Sequence, residues 1–396
     1  MSIGWDFGRD QIPDNHPLSP GIPGLVAPKS GARAHSQQGD IMYRILVINI
    51  GSTSTKVGLF HYENVLIRET IDHAPKDLAQ LHGYDAWLQF HQTTLEKILG
   101  RHKEKFDRLD LVVSRGGLTK PLEGGAYLIS DAMLQHLRSE NYGWHPCNVG
   151  PEIASTIAAD YLVKAIIYDS PVSDELIPLA RFSGLKGIER KATFHVLSQK
   201  SAARKAVQAL RVPYEQGNFI VAHLGGGITI GAHKKGRIID GTHGLSEGPF
   251  TPQRTGALPL QEVLKLCFSG RFTEEELSRR LFSQGGVQSY LGTHDIASVE
   301  HRIRNGDEEA ILVLKAMAYQ ISKATSSMAA VLKGQIDAVI LTGNLCHAQT
   351  VVTEIQDKVS FLGPLLIFPG EDELESLSLG GLAVLQGREI IKQYPS

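Results

Sequence analysis

The chain has 396 residues, with 40 Lys+Arg against 42 Asp+Glu, a formal net charge of −2 and 42% hydrophobic residues. At roughly 100–200 residues per domain this length suits two domains with real cores. The near-balanced charge gives no basic field for nucleic acid or an anionic membrane, so any bound anion must be held locally.

Cys147, Cys267 and Cys346 lie far apart with no metal-ligand spacing, which argues against a zinc site or a disulfide framework. No apolar run approaches the roughly 18–20 residues of a spanning helix. The opening MSIGWDFGRD lacks the basic and apolar regions of a secretory signal, so a cytoplasmic protein is expected.

Residues 1–41 carry five prolines from Pro13 to Pro28, with interspersed glycines and few large apolar residues. Such a composition cannot offset its ordering entropy, so a disordered N-terminal extension is predicted and excluded from the fold. From Tyr43 the run RILVINIGSTSTKVGLFHYENVLIRETI reads as a meander, two β-rich segments around a Gly/Ser/Thr turn and then a third strand. A helical stretch follows near Tyr84–Leu99, then the buried-type strand LDLVVSRGG at 109–117. AIIYDSPVSDEL at 165–176 is another apolar strand, ending on Asp169.

The second half repeats this plan. FIVAHLGGGITIGAHKKGRIID at 219–240 has strand, glycine turn, strand, turn and strand; a long helix spans Asp307–Lys333; and IDAVILTGN at 336–344 takes the place of LDLVVSRGG. Two such units in one order imply an internal duplication. The segment 373–394 has the apolar spacing of a terminal helix despite Gly380 and Gly381.

The chemistry-bearing residues gather at the turns. Asn49-Ile50-Gly51-Ser52-Thr53-Ser54-Thr55-Lys56 offers N–H groups, hydroxyls, an amide and an ammonium, a set suited to a phosphoryl group. It is not a Walker A loop, because VGLF continues as strand where a P-loop starts a helix; a polar hairpin is the other reading. His223-Leu224-Gly225-Gly226-Gly227 carries more glycine than a tight hairpin needs, as expected where a ligand or another backbone approaches closely. Leu341-Thr342-Gly343-Asn344 ends a buried strand ahead of a helix, a place for a ligand against exposed N–H groups.

Asp169 suits metal binding or proton transfer, or else caps a turn. Arg254, between Pro252 and Gly256, either presents a guanidinium to an anion or is solvated. His195 opens an amphipathic helix whose N-terminus favours anions, and a structural histidine is the alternative.

Taken in order these segments resemble the acetate and butyrate kinases of the acetate and sugar kinase, heat-shock chaperone and actin superfamily. NIGSTSTK is similar to the first phosphate hairpin, HLGGG to the second and LTGN to the adenosine-side turn; YDSPVSDEL, ATFH and PFTPQRTGALP are similar to acyl-kinase segments. Ser-Arg-Gly-Gly, Cys-Asn-Val-Gly and Gly-Glu-Asp-Glu-Leu-Glu-Ser-Leu resemble the butyrate kinase branch.

The resemblance implies an α/β protein with a duplicated ribonuclease H-like (actin-like ATPase) fold, two mixed five-stranded sheets and a central nucleotide cleft. Domain I would comprise 42–173 plus 376–396, and domain II 174–375. It also implies transfer of the ATP γ-phosphoryl group to butyrate or a similar short or branched acid, with Mg²⁺ as cofactor and a homodimer or larger assembly. Acetate or propionate kinase activity is the near alternative, and a chaperone- or actin-like ATPase the remote one. Neither nucleic acid nor membrane is an expected partner.

Carried over by position, Asn49, Ser52, Ser54 and Lys56 would surround the β/γ-phosphates. His223, Gly225, Gly226 and Gly227 would hold them from the other domain, while Gly343 and Asn344 would border the nucleoside. Arg254 would stabilise the transferring group with His195 as a second donor, and Asp169 with an acidic residue of Glu371-Asp372-Glu373, preferentially Glu373, would organise Mg²⁺. The substrate arginine of acetate kinases falls at Val112 here, so Arg115 is assigned the carboxylate-clamping role. Ser114 and Cys147-Asn148-Val149-Gly150 replace bulkier residues, which suggests room for a four-carbon or branched acid; at about 0.8 kcal/mol per methylene, selectivity should be modest.

Overall fold

Each sheet is built on a strand whose two faces are both buried, which is why the strands read as continuous apolar runs. The computed structural model describes residues 43–370 and 372–395; the predicted disorder of 1–41 and the candidate Glu371 lie outside the described residues. From Met42 onward the chain is one compact unit.

The first sheet comprises β1 (Arg44–Ile50), β2 (Ser54–His61), β3 (Asn64–Asp72), β4 (Leu111–Ser114), β5 (Ala126–Leu128) and β6 (Lys164–Tyr168), in the order β3-β2-β1-β4-β6-β5. The second comprises β7 (Asn218–Leu224), β8 (Ile228–Lys234), β9 (Arg237–Gly241), β10 (Ala338–Gly343) and β11 (Leu365–Pro369), in the order β11-β10-β7-β8-β9. In both, an antiparallel meander is extended by two strands parallel to its first. The duplication is therefore topological, and the chain has the actin-like ATPase fold. The first sheet departs from the expected five strands: β5, three residues long, pairs antiparallel with β6 as a sixth. So short a segment leaves no periodic signal.

On β1, Leu46 and Ile48 face the core shared with Leu95, Ile98 and Ile153, whereas Ile45 and Val47 face Leu374, Leu377 and Leu382 of the helix Glu373–Leu385. On the second sheet, Ile220 and Ala222 meet Leu314, Met317 and Ile321 of the helix Glu308–Val331, while Phe219 and Val221 meet Ala202, Ala203 and Ala206 of the helix Val196–Leu210. The terminal helix is shorter than 373–394 suggested, stopping at Leu385. Gly380 and Gly381 lie where it presses on the sheet: a Cβ at Gly380 would come 2.4 Å from the Tyr168 ring.

The helices Val196–Leu210 and Glu373–Leu385 also touch each other, through Ser201 Oγ and Ser376 Oγ at 2.8 Å and the Lys205–Glu375 ion pair at 2.8 Å. Their N-termini, His195 and Glu373, line one cavity. Among the described residues no helix is long and apolar enough to cross a membrane.

Candidate active site

The antiparallel register places Asn49 opposite Lys56 and His223 opposite Thr229, so each hairpin presents a facing pair of polar side chains next to its turn. In the first hairpin Asn49 is buried, Gly51 N–H closes the turn on the Ser54 carbonyl at 2.9 Å, Ser54 is buried and Ser52 is exposed. Asn49 Nδ2 donates to Glu373 Oε2 at 2.7 Å, and Lys56 Nζ lies 3.2 Å from the same oxygen. Arg115, immediately after β4, lies with Nη1 3.3 Å from Glu373 Oε1. Asn49, Lys56 and Arg115 thus meet on the carboxylate of a residue more than 250 positions further along the chain. Burial alone would raise the Glu373 pKa; Arg115 foremost, then Lys56 and Asn49, overcome this and hold it below the usual carboxylate value.

His195 lines the same cavity as Arg115 and Glu373. Its ring stacks on that of His223 at 4.0 Å between centroids, and its Nδ1 is 2.9 Å from Thr229 Oγ1. Burial, reinforced by His223, Arg254 and Arg115, lowers its pKa well below the ordinary histidine value, so the imidazole is neutral at pH 7. Arg254 donates from Nη1 to the Gly244 carbonyl at 2.7 Å. Its loop is stapled to the second hairpin by Thr251, whose Oγ1 donates to Gly226 O at 2.8 Å and accepts from Arg254 N at 3.0 Å. Gly227 lies beneath the Arg254 guanidinium, whereas a Cβ at Gly226 would meet Gln253 Oε1 at an ordinary contact distance of 3.9 Å. Arg115, Glu373, Asp169 and His195 line one cavity, with both Arg115 and Arg254 acting on the imidazole.

Gly343 and Asn344 lie at the end of β10, where Asn344 is exposed and lines a different pocket with Ile296, Glu300, Arg304 and His347. Asn344 therefore lines a different pocket from Arg115, Asp169, His195 and Glu373. Val112 is sealed in the first core and does not line the cavity. Arg115 lies close enough to Cys147 and His145 to influence both; burial raises the Cys147 thiol to about 11 against that pull.

Asp169 is enclosed. It sits at φ +42, its Oδ1 accepts from Gly125 N at 2.8 Å, and its Oδ2 pairs with Arg204 Nη1 at 2.7 Å, with Lys200 Nζ 4.0 Å away. Burial tends to raise its pKa, but Arg204 and Lys200 bring it below the usual value. Gly125 N–H and the Arg204 guanidinium thus engage one carboxylate oxygen each. Lys200, Arg204, Glu175 and Thr251 were not foreseen; their partners are distant in sequence, and charged residues on a helix ordinarily read as its solvated face.

Among the described residues no group of three or more His, Cys, Asp and Glu is placed to hold a metal alone. The donors present do fit a cation shared with phosphate oxygens, which needs one or two protein ligands. Glu373 is ionised, and Asn49 Oδ1 beside it is buried without a hydrogen-bond partner.

A model of the acetokinase family matches residues 179–370, which span β7 to β11, His195 and Arg254. Among solved structures, acetate kinase from Porphyromonas gingivalis superposes with a TM-score of 0.72 at 18% identity, covering 87% of this chain and all of that one. A propionate kinase from Francisella tularensis subsp. tularensis and acetate kinase from Entamoeba histolytica each give 0.64, at 18% and 16% identity, covering 85% of this chain and 98% of theirs. Residues 179–370 are thus similar to the acetokinase family, and the chain shares the fold of these kinases.

Proposed function

We propose that the protein is an ATP-dependent phosphotransferase with a carboxylate acceptor, and that the acid is butyrate or a similar short or branched-chain acid. The carrying observation is the charge of the site. Arg115 and Arg254 flank a neutral His195, while the carboxylates at hand, Asp169 and Glu373, are both ion-paired and held below their usual pKa. A hydroxyl acceptor needs a base to take its proton. A carboxylate is already ionised at pH 7 and meets electrostatic repulsion instead, which two guanidinium groups relieve.

The cleft divides 42–173 and 376–396 from 174–375. In it, Asn49, Ser52, Ser54 and Lys56 bind the β/γ-phosphates from one side, and His223 with Gly225–Gly227 from the other. Gly343 and Asn344 border the nucleoside. Arg115 clamps the acceptor carboxylate, and Arg254 with His195 stabilises charge on the phosphoryl group as it moves in line. Glu373 and Asn49 would hold Mg²⁺, which supplies charge neutralisation of the phosphates. Asp169 acts from behind, fixing Arg204 and Lys200 and with them the helix that carries His195.

The four-carbon assignment rests on the small size of Ser114, Cys147 and Gly150 near Arg115; a Cβ at Gly150 would come 3.0 Å from Ser114 Oγ. Hydroxylamine trapping with Mg·ATP and acids of two to five carbons tests both parts. Acyl hydroxamate formed most efficiently from butyrate or a branched four-carbon acid supports the reading, efficiency highest with acetate or propionate overturns its finer part, and ATP turnover indifferent to carboxylates overturns all of it.

A further inference from the structure

Behind His195 a line of buried polar side chains crosses the second sheet. Gln199 follows His195 by one helical turn, and Thr229, Gly231 and His233 share one face of β8. The contacts run Tyr214 Oη to His233 Nδ1 at 2.8 Å, His233 Nε2 to Gln199 Oε1 at 2.9 Å, Gln199 Nε2 to Thr229 Oγ1 at 2.8 Å and Thr229 Oγ1 to His195 Nδ1 at 2.9 Å.

Each proton in this line can be assigned by elimination. Gln199 Nε2 also lies 3.2 Å from the Thr229 carbonyl, which can only accept, so the amide orientation is fixed. Gln199 Oε1 must then accept from His233 Nε2–H. His233, fully buried, has its pKa lowered well below the ordinary value by burial and by Lys200 and Arg204, so it is neutral and its Nδ1 accepts from the Tyr214 hydroxyl. At the other end, Thr229 Oγ1 accepts from Gln199 Nε2 and from His195 N at 3.3 Å, which uses both lone pairs. Its one hydrogen goes to His195 Nδ1. Gly231 is what lets the line pass: a Cβ there would come 2.5 Å from Gln199 Oε1.

We infer that Tyr214, His233, Gln199 and Thr229 are positioning residues that lock His195 in the Nε2–H tautomer, so that this cavity-lining ring presents a neutral donor to the transferring phosphoryl group. The functional half rests on the kinase reading; the tautomer does not. An acceptor lone pair on Nε2 would repel phosphoryl oxygens, so losing the lock costs the donor as well as its orientation.

The test is ¹⁵N imidazole NMR of His195 with steady-state kinetics, on the wild type, Thr229→Val and Thr229→Ser. The wild type should show His195 protonated at Nε2 alone. Thr229→Val should populate the Nδ1–H form and lower kcat about ten- to a hundredfold with KM for ATP unchanged, and Thr229→Ser should restore both. A wild-type ring protonated at Nδ1, or a folded Thr229→Val protein that keeps both the tautomer and kcat, overturns the lock. Absence of any acyl phosphate activity would overturn the kinase reading while the wild-type spectrum still decides the tautomer.

Discussion

Gly227 supports the Arg254 guanidinium so closely that a Cβ at this glycine would sit 2.4 Å from Nη1 and 3.0 Å from Cζ. The last glycine of the second hairpin therefore serves the placement of a side chain. Gly227→Ala should displace Arg254 while leaving β7 and β8 intact, and lower kcat for acyl phosphate formation about 10²-fold, the scale for removing one preorganised charge donor. Arg254→Ala should give a loss of similar size, and the double variant little more than either. Full activity in Gly227→Ala would disprove the supporting role.

Arg115 reaches Glu373 Oε1 at 3.3 Å and also influences Cys147, which puts its guanidinium between the phosphate side and the compact residues proposed to receive the acyl chain. A lysine cannot offer two parallel N–H groups to a carboxylate. Arg115→Lys is therefore expected to raise KM for the acid about tenfold or more, equivalent to about 1.4 kcal/mol, with KM for ATP nearly unchanged. An equal rise in both would show that Arg115 serves the phosphates instead.

The two hairpins and the duplicated meander were legible because their signals are local: hydroxyls and glycines packed into turns, between apolar runs that alternate across a sheet. The acidic stretch before the last helix was also visible, but the favoured residue is singled out only by the convergence of Asn49, Lys56 and Arg115 on Glu373. Residues that act through distant partners were not legible. Thr229, Gly231 and His233 carry period-two spacing that passes for the wet face of a strand, until Gln199 is known to lie over it. Asp169 stood out as a carboxylate ending a strand, and nothing local tells that Arg204 encloses it.

That enclosure predicts a stability effect. Lys200 Nζ is 2.7 Å from Glu175 Oε1 with both side chains buried, and Glu175 also accepts from Gly124 N at 2.9 Å and Ile238 N at 2.7 Å. Removing the ammonium leaves a buried carboxylate uncompensated, so Lys200→Met should cost about 3–5 kcal/mol in urea unfolding. Glu175→Gln added to Lys200→Met removes the stranded charge and keeps an acceptor for one of the two N–H groups, which go to different carboxylate oxygens, and should recover part of the loss. A Lys200→Met protein as stable as wild type would mean that the pair adds nothing to the fold.

His91 provides a pH dependence away from the cleft. Its Nδ1 lies 2.7 Å from Thr55 Oγ1, directly after the turn of the first hairpin, and burial foremost, with His73, pushes its pKa down to about 4. Unfolded, the same group titrates near 6.5. Between these values the unfolded chain binds a proton that the folded one refuses, so stability falls as pH drops below about 6.5 and the loss is complete below about 4. From pH 7 to pH 5 this single group should remove about 2 kcal/mol of unfolding free energy. His91→Gln retains a hydrogen-bonding side chain without a titrating one, so its unfolding free energy should change by about 2 kcal/mol less over that interval, measured by denaturant melts at both pH values; parallel losses in variant and wild type would place the acid sensitivity elsewhere.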